Sequence, residues 1–483
     1  MIVSTKEADA RPRASLPPES ASGRAARPPR RPRVRRLRPI DRLLLLLLPL
    51  LLAAARPPAA PAGELGLELY GDVLYAHHDF GPDQRSDPTG APPDSRAIVD
   101  IPYVVAELEY AFRDDLHLEI ELEYEHGGTG SALELEYEEF GEYEIEVEKG
   151  GEVVIEQVHL TLSWSEALRL RAGRIVTAFG LINLSHRPTD FMTTVRPAAE
   201  VNLLPTTWSE IGLELSGRRG RFAYRGQLVN GLDSSGFGSE HFVAGGAQSR
   251  FESVRATDLA LVGRLDVDVA DGATVGSSIY HGNTTGNRPK PDMKGINAHL
   301  TLVDGHALID RGPFRARAVY LRGHLENADL VSAKNSRLST HLQVSRTPVA
   351  KAAYGWSVEL GYDVAPLIDR LLGRRPGPQR PASCGAGVRD TGGRDGRGAG
   401  DAWRLYPFVH VSAHDSMAEL PDGVFDVPRF ERHILAVGAN YFPHPDVVIK
   451  ADWSHRTFGD RLLNDENTFS LDLGFVARIL DHD

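Results

Sequence analysis

The residues of this 483-residue chain that could do chemistry are rows of charge rather than a nucleophile beside its base. Between residues 107 and 156 stand 18 Asp and Glu against Arg113 and Lys149, a local net of −16. Glu119, Glu121 and Glu123 alternate with Leu118, Ile120 and Leu122, and Arg169 and Arg171 with Leu168, Leu170 and Ala172. The same alternation sets Arg315 and Arg317 against Phe314, Ala316 and Ala318, and Lys450 and Asp452 against Ile449, Ala451 and Trp453. A charge at every second residue of a strand puts the whole row on one face. Such rows can sort ions, because fixed charges attract or repel solutes within a Debye length of ~8 Å at physiological salt. The segment Ile175 to Trp208 adds Asn183, His186, Arg187, Asp190, Arg196 and Glu200, a mixture of both signs. Folded into a channel, it would place a transverse field at a constriction. The plainer alternative is that its polar groups hydrogen-bond to hold the loop against a wall.

Other chemistries lack their signatures. There is no G-x-S-x-G elbow, no H-E-x-x-H helix and no glycine-rich phosphate loop, so no enzyme and no catalytic residue is expected. His77-His78-Asp79 could bind a metal, but it falls at a strand end, where polar rim residues are expected anyway; no metal and no cofactor are expected. The acidic stretch within 127–151 alternates Tyr143, Ile145 and Val147 with Glu142, Glu144, Glu146 and Glu148. It reads as an outer hairpin extending two strands beyond the membrane, either a solvated ribbon or a platform for divalent cations. The single Cys384 allows no internal disulfide and no Cys-based zinc site. A net charge of −12 argues against nucleic acid as a partner.

The elements that must position these rows are strands. Period-two alternation runs through Leu67 to Tyr75, Leu118 to Tyr124, Val447 to Trp453 and Phe469 to Ile479. Connections alternate in length. Short ones lie at 113–115, 165–167, 217–220, 269–272, 309–312 and 444–446; long ones run through 81–100, 127–151, 175–208, 231–257, 282–294, 328–351, 416–431 and 457–466. The spacing predicts an all-β fold, a sixteen-stranded antiparallel transmembrane β-barrel with short periplasmic turns and long outer loops. Closure suits a membrane, because every backbone N–H and C=O must find a partner there. A barrel of this size is expected to enclose a water-filled lumen. A β-sandwich or propeller has no reason to sort its loops by parity. One turn-side connection, 367–402, breaks the rule, and its Gly, Arg and Pro content reads as a disordered insertion.

Residues 1–62 carry 13 Lys and Arg against 4 Asp and Glu, then the apolar run Leu43 to Ala55 and the small-residue pattern Ala60-Pro61-Ala62. This reads as a cleavable signal peptide, leaving 63–483 as the exported barrel of a Gram-negative outer membrane.

Four stretches resemble a family: Leu168 to Gly173 with Ala178-Phe179-Gly180; Arg196-Pro197 with Leu204 to Trp208 and Gly212; Tyr354 to Trp356 through Glu359 to Asp363; and Tyr406 to Val409 with Gly438 to Tyr441 and Lys450 to Asp452. The chain resembles the phosphate-selective porin O and P superfamily of outer-membrane channels, in its less characterised branch. The resemblance implies a sixteen-stranded porin, commonly a homotrimer, passing small hydrophilic solutes. Two departures stand out. The family's lysine cluster finds no residue-by-residue match, and the chain ends on Arg478, Ile479, Leu480 and onward to Asp483 rather than on an aromatic. The acidic balance does not support phosphate selectivity.

The expected function is passive diffusion of small, ionic solutes through an outer-membrane porin, with outer-membrane lipid, lipopolysaccharide and the barrel-assembly machinery as partners. Parity turns Arg169, Arg171, Arg315, Arg317, Lys450 and Asp452 inward, since a charge on the lipid face costs ~2–4 kcal/mol near the midplane. Glu119, Glu121 and Glu123 are expected partners for the arginines. Two alternatives stay open: a plugged surface barrel with a structural, adhesive or cation-binding role, and a secreted soluble β-rich binding protein.

Overall fold

The structure, a computed structural model, describes residues 63–82, 93–127, 134–135, 145–146, 153–248, 253–338, 346–374 and 402–480. The expected signal peptide, most of the acidic hairpin and residues 375–401 of the insertion lie outside the described residues.

Among the described residues nineteen strands follow one another: β1 Glu64–Pro82, β2 Pro93–Asp100, β3 Tyr103–Arg113, β4 Leu116–Glu125, β5 Glu134–Leu135, β6 Ile145–Glu146, β7 Val153–Ser165, β8 Leu168–Val176, β9 Ser209–Arg219, β10 Phe222–Asn230, β11 Leu259–Ala270, β12 Ala273–Asn283, β13 His299–Arg311, β14 Phe314–Leu325, β15 Ala352–Tyr362, β16 Arg404–Glu419, β17 Glu431–His444, β18 Val447–Phe458 and β19 Glu466–Leu480. Short helices interrupt the loops: α1 Ala198–Val201, α2 Ala328–Asn335 and α3 Ala365–Leu371. β5 and β6 pair with each other alone, in the acidic hairpin. Every other strand belongs to one antiparallel sheet, and β1 pairs with β19 from Leu67↔Leu480 to Asp79↔Asn467, closing it.

The ring has sixteen positions although the sheet has seventeen segments. β2 pairs with Leu74–Pro82 of β1 and β3 with Glu64–Gly71, so the two follow each other along one edge of β1 and β2 adds no position. This corrects the expected long connection at 81–100, because 93–100 is paired strand. The break falls at Ile101-Pro102, where proline cannot donate to the ladder.

Outside, the apolar set faces away from the ring: Leu435, Val437, Ile449, Leu471 and Leu473 are exposed. Aromatic residues collect near the two ends of the outer surface. Phe112, Trp164, Phe222, Phe314, Tyr362 and Tyr441 stand toward the short turns, and Tyr124, Tyr320, Trp453 and Phe469 toward the long loops. This is the girdle pattern of a membrane-spanning barrel. Gly220 and Gly312 close tight turns at φ 59° and 60°, where a Cβ would be strained.

Inside, the expectation of a polar lumen holds for only part of the height. Toward the loops, inward Val229, Val262, Tyr280, Leu300, Leu302, Leu321 and Leu325 pack with loop residues including Phe179, Leu203, Trp208, Phe237, Phe242 and Val331 in one buried apolar core. Nearer the turns the same rows become polar, as in β13, where Leu300 and Leu302 give way to Asp304 and His306. The long loops fold inward over this arc and need apolar wall to pack against. α3 is a second difference: the segment expected to be disordered from 367 is helical to Leu371.

Candidate functional site

The segment between β8 and β9, residues 177–208, lies inside the ring. Its base is closed by Asn183, which donates to the carbonyls of Thr177 (2.6 Å) and Trp208 (3.0 Å) and accepts from the Trp208 N–H (2.6 Å). Further in, the Glu200 carboxylate accepts from the N–H groups of Leu181 (2.7 Å) and Ile182 (3.1 Å). Gly180, at φ 73°, is required there, since a Cβ would meet that carboxylate. Burial pushes the Glu200 carboxyl above the usual range, and the two N–H groups pull it back part of the way.

One flank of the loop rests on an acidic arc of β1, β3 and β4. The His186 Nε2 is 2.8 Å from the Tyr70 hydroxyl, which donates to Glu121 at 2.6 Å. Arg187 donates to Glu107 at 2.9 Å, pairs with Glu68 and lies 5.3 Å over the Tyr70 ring. Arg196 pairs with Glu123 at 3.4 Å, its guanidinium 4.3 Å over Tyr103.

The other flank is gripped by β14 and β18, mostly through its backbone. Arg315 donates to the carbonyls of Thr189 (2.7 Å) and Asp190 (3.1 Å), and Arg317 to those of Asp190 and Ser185. Lys450 donates to the Thr193 carbonyl at 2.9 Å and sits 3.9 Å over Phe191, while Asp452 accepts from the Thr194 N–H at 2.7 Å. Glycines in the wall make room for the crossing: a Cβ on Gly361 would strike Met192, and one on Gly474 would strike Pro188.

Of the residues singled out from the sequence, His186, Arg187, Asp190, Arg196, Glu200, Arg315, Arg317, Lys450 and Asp452 therefore meet at this crossing. Arg169 and Arg171 do not. They lie on β8 toward the turns, where Arg171 is 3.6 Å from Glu214, itself 3.8 Å from Arg225 of β10. Their expected pairing with the β4 glutamates is corrected in part: the loop takes Glu121 and Glu123, while Glu119, 3.6 Å from His159, is within electrostatic reach of Arg171. Half-buried Glu107 and Arg315 at the crossing and Glu109, His117, Arg169, Arg171 and Arg225 on its turn side leave charged wall open to solvent.

Sequence reasoning missed a buried cluster on β11 and β13. His306 lies 2.6 Å from Asp304 and 2.7 Å from Asp266; Arg264 grips Asp266 at 2.8 and 3.0 Å and donates to the Gly180 carbonyl at 2.6 Å. Asp304 accepts from the Gly180 N–H at 3.1 Å. The alternations Arg264/Asp266 and Asp304/His306 were the available signal. Among the described residues no group of three His, Cys, Asp or Glu side chains could hold a metal ion. What the site can do is present fixed charges of both signs to whatever passes the loop.

No known family model matches the chain. It is 24% identical over 398 residues to an uncharacterised protein of Aquifex aeolicus (strain VF5), covering 82% of this chain and 76% of that one. Among solved structures it is similar to an anion-selective porin from Comamonas acidovorans (9% identity, TM-score 0.44, covering 86% of this chain and 100% of that one). It is also similar to OmpF of Salmonella typhi in complex with daunomycin (12%, TM-score 0.45, 85% and 97%) and to the outer-membrane channel DcaP of Acinetobacter baumannii (11%, TM-score 0.43, 86% and 98%). At these scores the likeness adds no argument; the fold stands on the register of the chain's own strands.

Proposed function

We propose that this chain is an outer-membrane porin through which small hydrophilic ions diffuse passively, with the 177–208 loop as its constriction. The observation that carries the reading is a charged loop crossing a closed barrel, with half-buried charges of both signs on the wall beneath it. Glu68, Glu107, Glu121 and Glu123 bring Arg187 and Arg196 against an acidic arc, and a passing ion meets both signs at close quarters. The acidic hairpin within 127–151 favours cations at the outer mouth, and Glu107 and Glu109 favour them further down the wall. The resemblance to the phosphate-selective porin O and P superfamily supports a porin, a homotrimer and contact with lipopolysaccharide and the barrel-assembly machinery. It does not extend to phosphate selectivity.

The test is diffusion into liposomes. Vesicles reconstituted with the chain from Gly63 onward swell in isotonic small ionic or sugar solutions at rates that fall with solute size. Vesicles that do not swell, around a barrel shown folded by heat-modifiable gel mobility, contradict the proposal. A second reading, the plugged surface barrel, is favoured by one observation: the loop is tied to β1, β3, β4, β11, β13, β14, β15 and β18, nearly all round the ring, beside an apolar core.

A further inference from the structure

The connection after β15 opens with helix α3, and local sequence explains why it forms. The Asp363 carboxylate accepts from the N–H of Ala365 at 3.0 Å and of Leu405 at 3.3 Å, Pro366 suits the first turn, and Gly373 at φ 68° ends it. Backbone bonds from Asp363 to the Pro313 carbonyl (2.7 Å) and from Val364 to the Leu405 carbonyl (2.9 Å) pin it to the turn-side ends of β14, β15 and β16. Ala365 and Asp369 are buried against the barrel, whereas Leu367, Leu371 and Leu372 are 46, 86 and 61% exposed. With half-buried Ile368 they make an i, i+4 stripe of leucine and isoleucine directed away from the protein.

Two features beside the stripe say what covers it. The strand ends that hold α3 carry outward aromatic pairs, Phe314 with Tyr362 (rings 4.9 Å apart) and Trp403 with Tyr441 (6.1 Å), which belong to the turn-side girdle. The stripe begins five residues after Tyr362 of that girdle, on a helix pinned to the same strand ends. Arg370, between Ile368 and Leu371, and Arg374, just after the helix, are both exposed. An apolar face flanked by arginines matches the boundary between acyl chains and phosphates, where the arginine stems lie along apolar surface and their heads reach the phosphates.

We propose that α3 is an interfacial anchor, its leucine stripe embedded in the turn-side leaflet of the membrane beside the aromatic girdle, with Arg370 and Arg374 at the lipid phosphates. This inference rests on the membrane placement of the barrel and not on conduction.

The test places an environment-sensitive fluorophore at Leu371→Cys, and separately at Val437→Cys on the mid-height outer surface of β17, both in a Cys384→Ser background in phospholipid vesicles. Heat-modifiable mobility serves as the check on folding. The Leu371→Cys probe is expected to be quenched severalfold more by nitroxides high on the acyl chain than by deep ones, and to be shielded from aqueous iodide, while the Val437→Cys probe answers to the deep nitroxide. Adding Leu367→Asp and Leu372→Asp should abolish the lipid quenching at 371 while the barrel stays folded. Iodide quenching without nitroxide quenching at 371 overturns the proposal, as does protection from both, which would mean that residues 375–401 or a second copy covers the stripe. Loss of nitroxide quenching at Val437→Cys as well would remove the membrane placement, and the anchor with it.

Discussion

The two flanks of the loop are held by different physics. Against β1, β3 and β4 it is held by ion pairs and rings stacked under arginines; against β10 to β16 its base joins an apolar core around Trp208, and Arg315 and Arg317 of β14 hold only its backbone carbonyls. The apolar core at the base is stabilised by the loss of water from buried surface and does not respond to salt. The charged flank can be screened, titrated and moved, and it faces the half-buried wall. The loop thus has a fixed side that sets its position and a soft side that can set selectivity.

The contrast breaks most severely at Trp208. Trp208→Ala empties the centre of the apolar core and is expected to lower stability by ~3–5 kcal/mol, seen as a lower temperature for loss of heat-modifiable mobility, with noisy conductance as the loop loosens. Next comes Arg196→Ala, which leaves the Glu123 carboxylate without its ion-pair partner at a cost of up to ~3 kcal/mol, the low end for a buried pair because water reaches the lumen. Here conductance is expected to rise and cation preference to strengthen, with thermal stability changed less than in Trp208→Ala. His186→Ala removes one partner of Tyr70 and is expected to cost ~1–2 kcal/mol, with a small rise in conductance.

The smallest effect separates charge from contact. Glu200 is held above the ordinary carboxylate range by burial, so its folded-state value exceeds its unfolded one. Its contribution to stability is therefore fully present below the unfolded value and is lost as pH rises through the folded one. Glu200→Gln keeps an oxygen for the Leu181 and Ile182 N–H groups, and is expected to change stability by less than ~1 kcal/mol while removing that part of the pH dependence. Melting curves of both proteins across the acid-to-neutral range check it.

Loop parity made the sixteen positions legible, because turns such as 114–115 and 166–167 recur on one side only. Parity turns Arg315, Arg317, Lys450 and Asp452 inward, since each alternates with an apolar row. It could not reveal that the three cations grip backbone carbonyls of the loop and Asp452 a backbone N–H, because those contacts span more than a hundred residues. The apolar core was hidden for a different reason. In β13, Leu302 points inward and Val303 outward, and two adjacent apolar residues carry no phase. Only a loop folded over them reveals which one is interior. β2 escaped notice because the break at Ile101-Pro102 resembles the end of a loop.

The most direct test of the porin reading is single-channel conductance and reversal potential of the chain from Gly63 onward, refolded into planar bilayers under a salt gradient. The expected result is a steady open channel with cation preference, which weakens when Glu107 and Glu109 are both changed to Gln. A correctly folded barrel that passes no current contradicts the porin and leaves the loop as a plug.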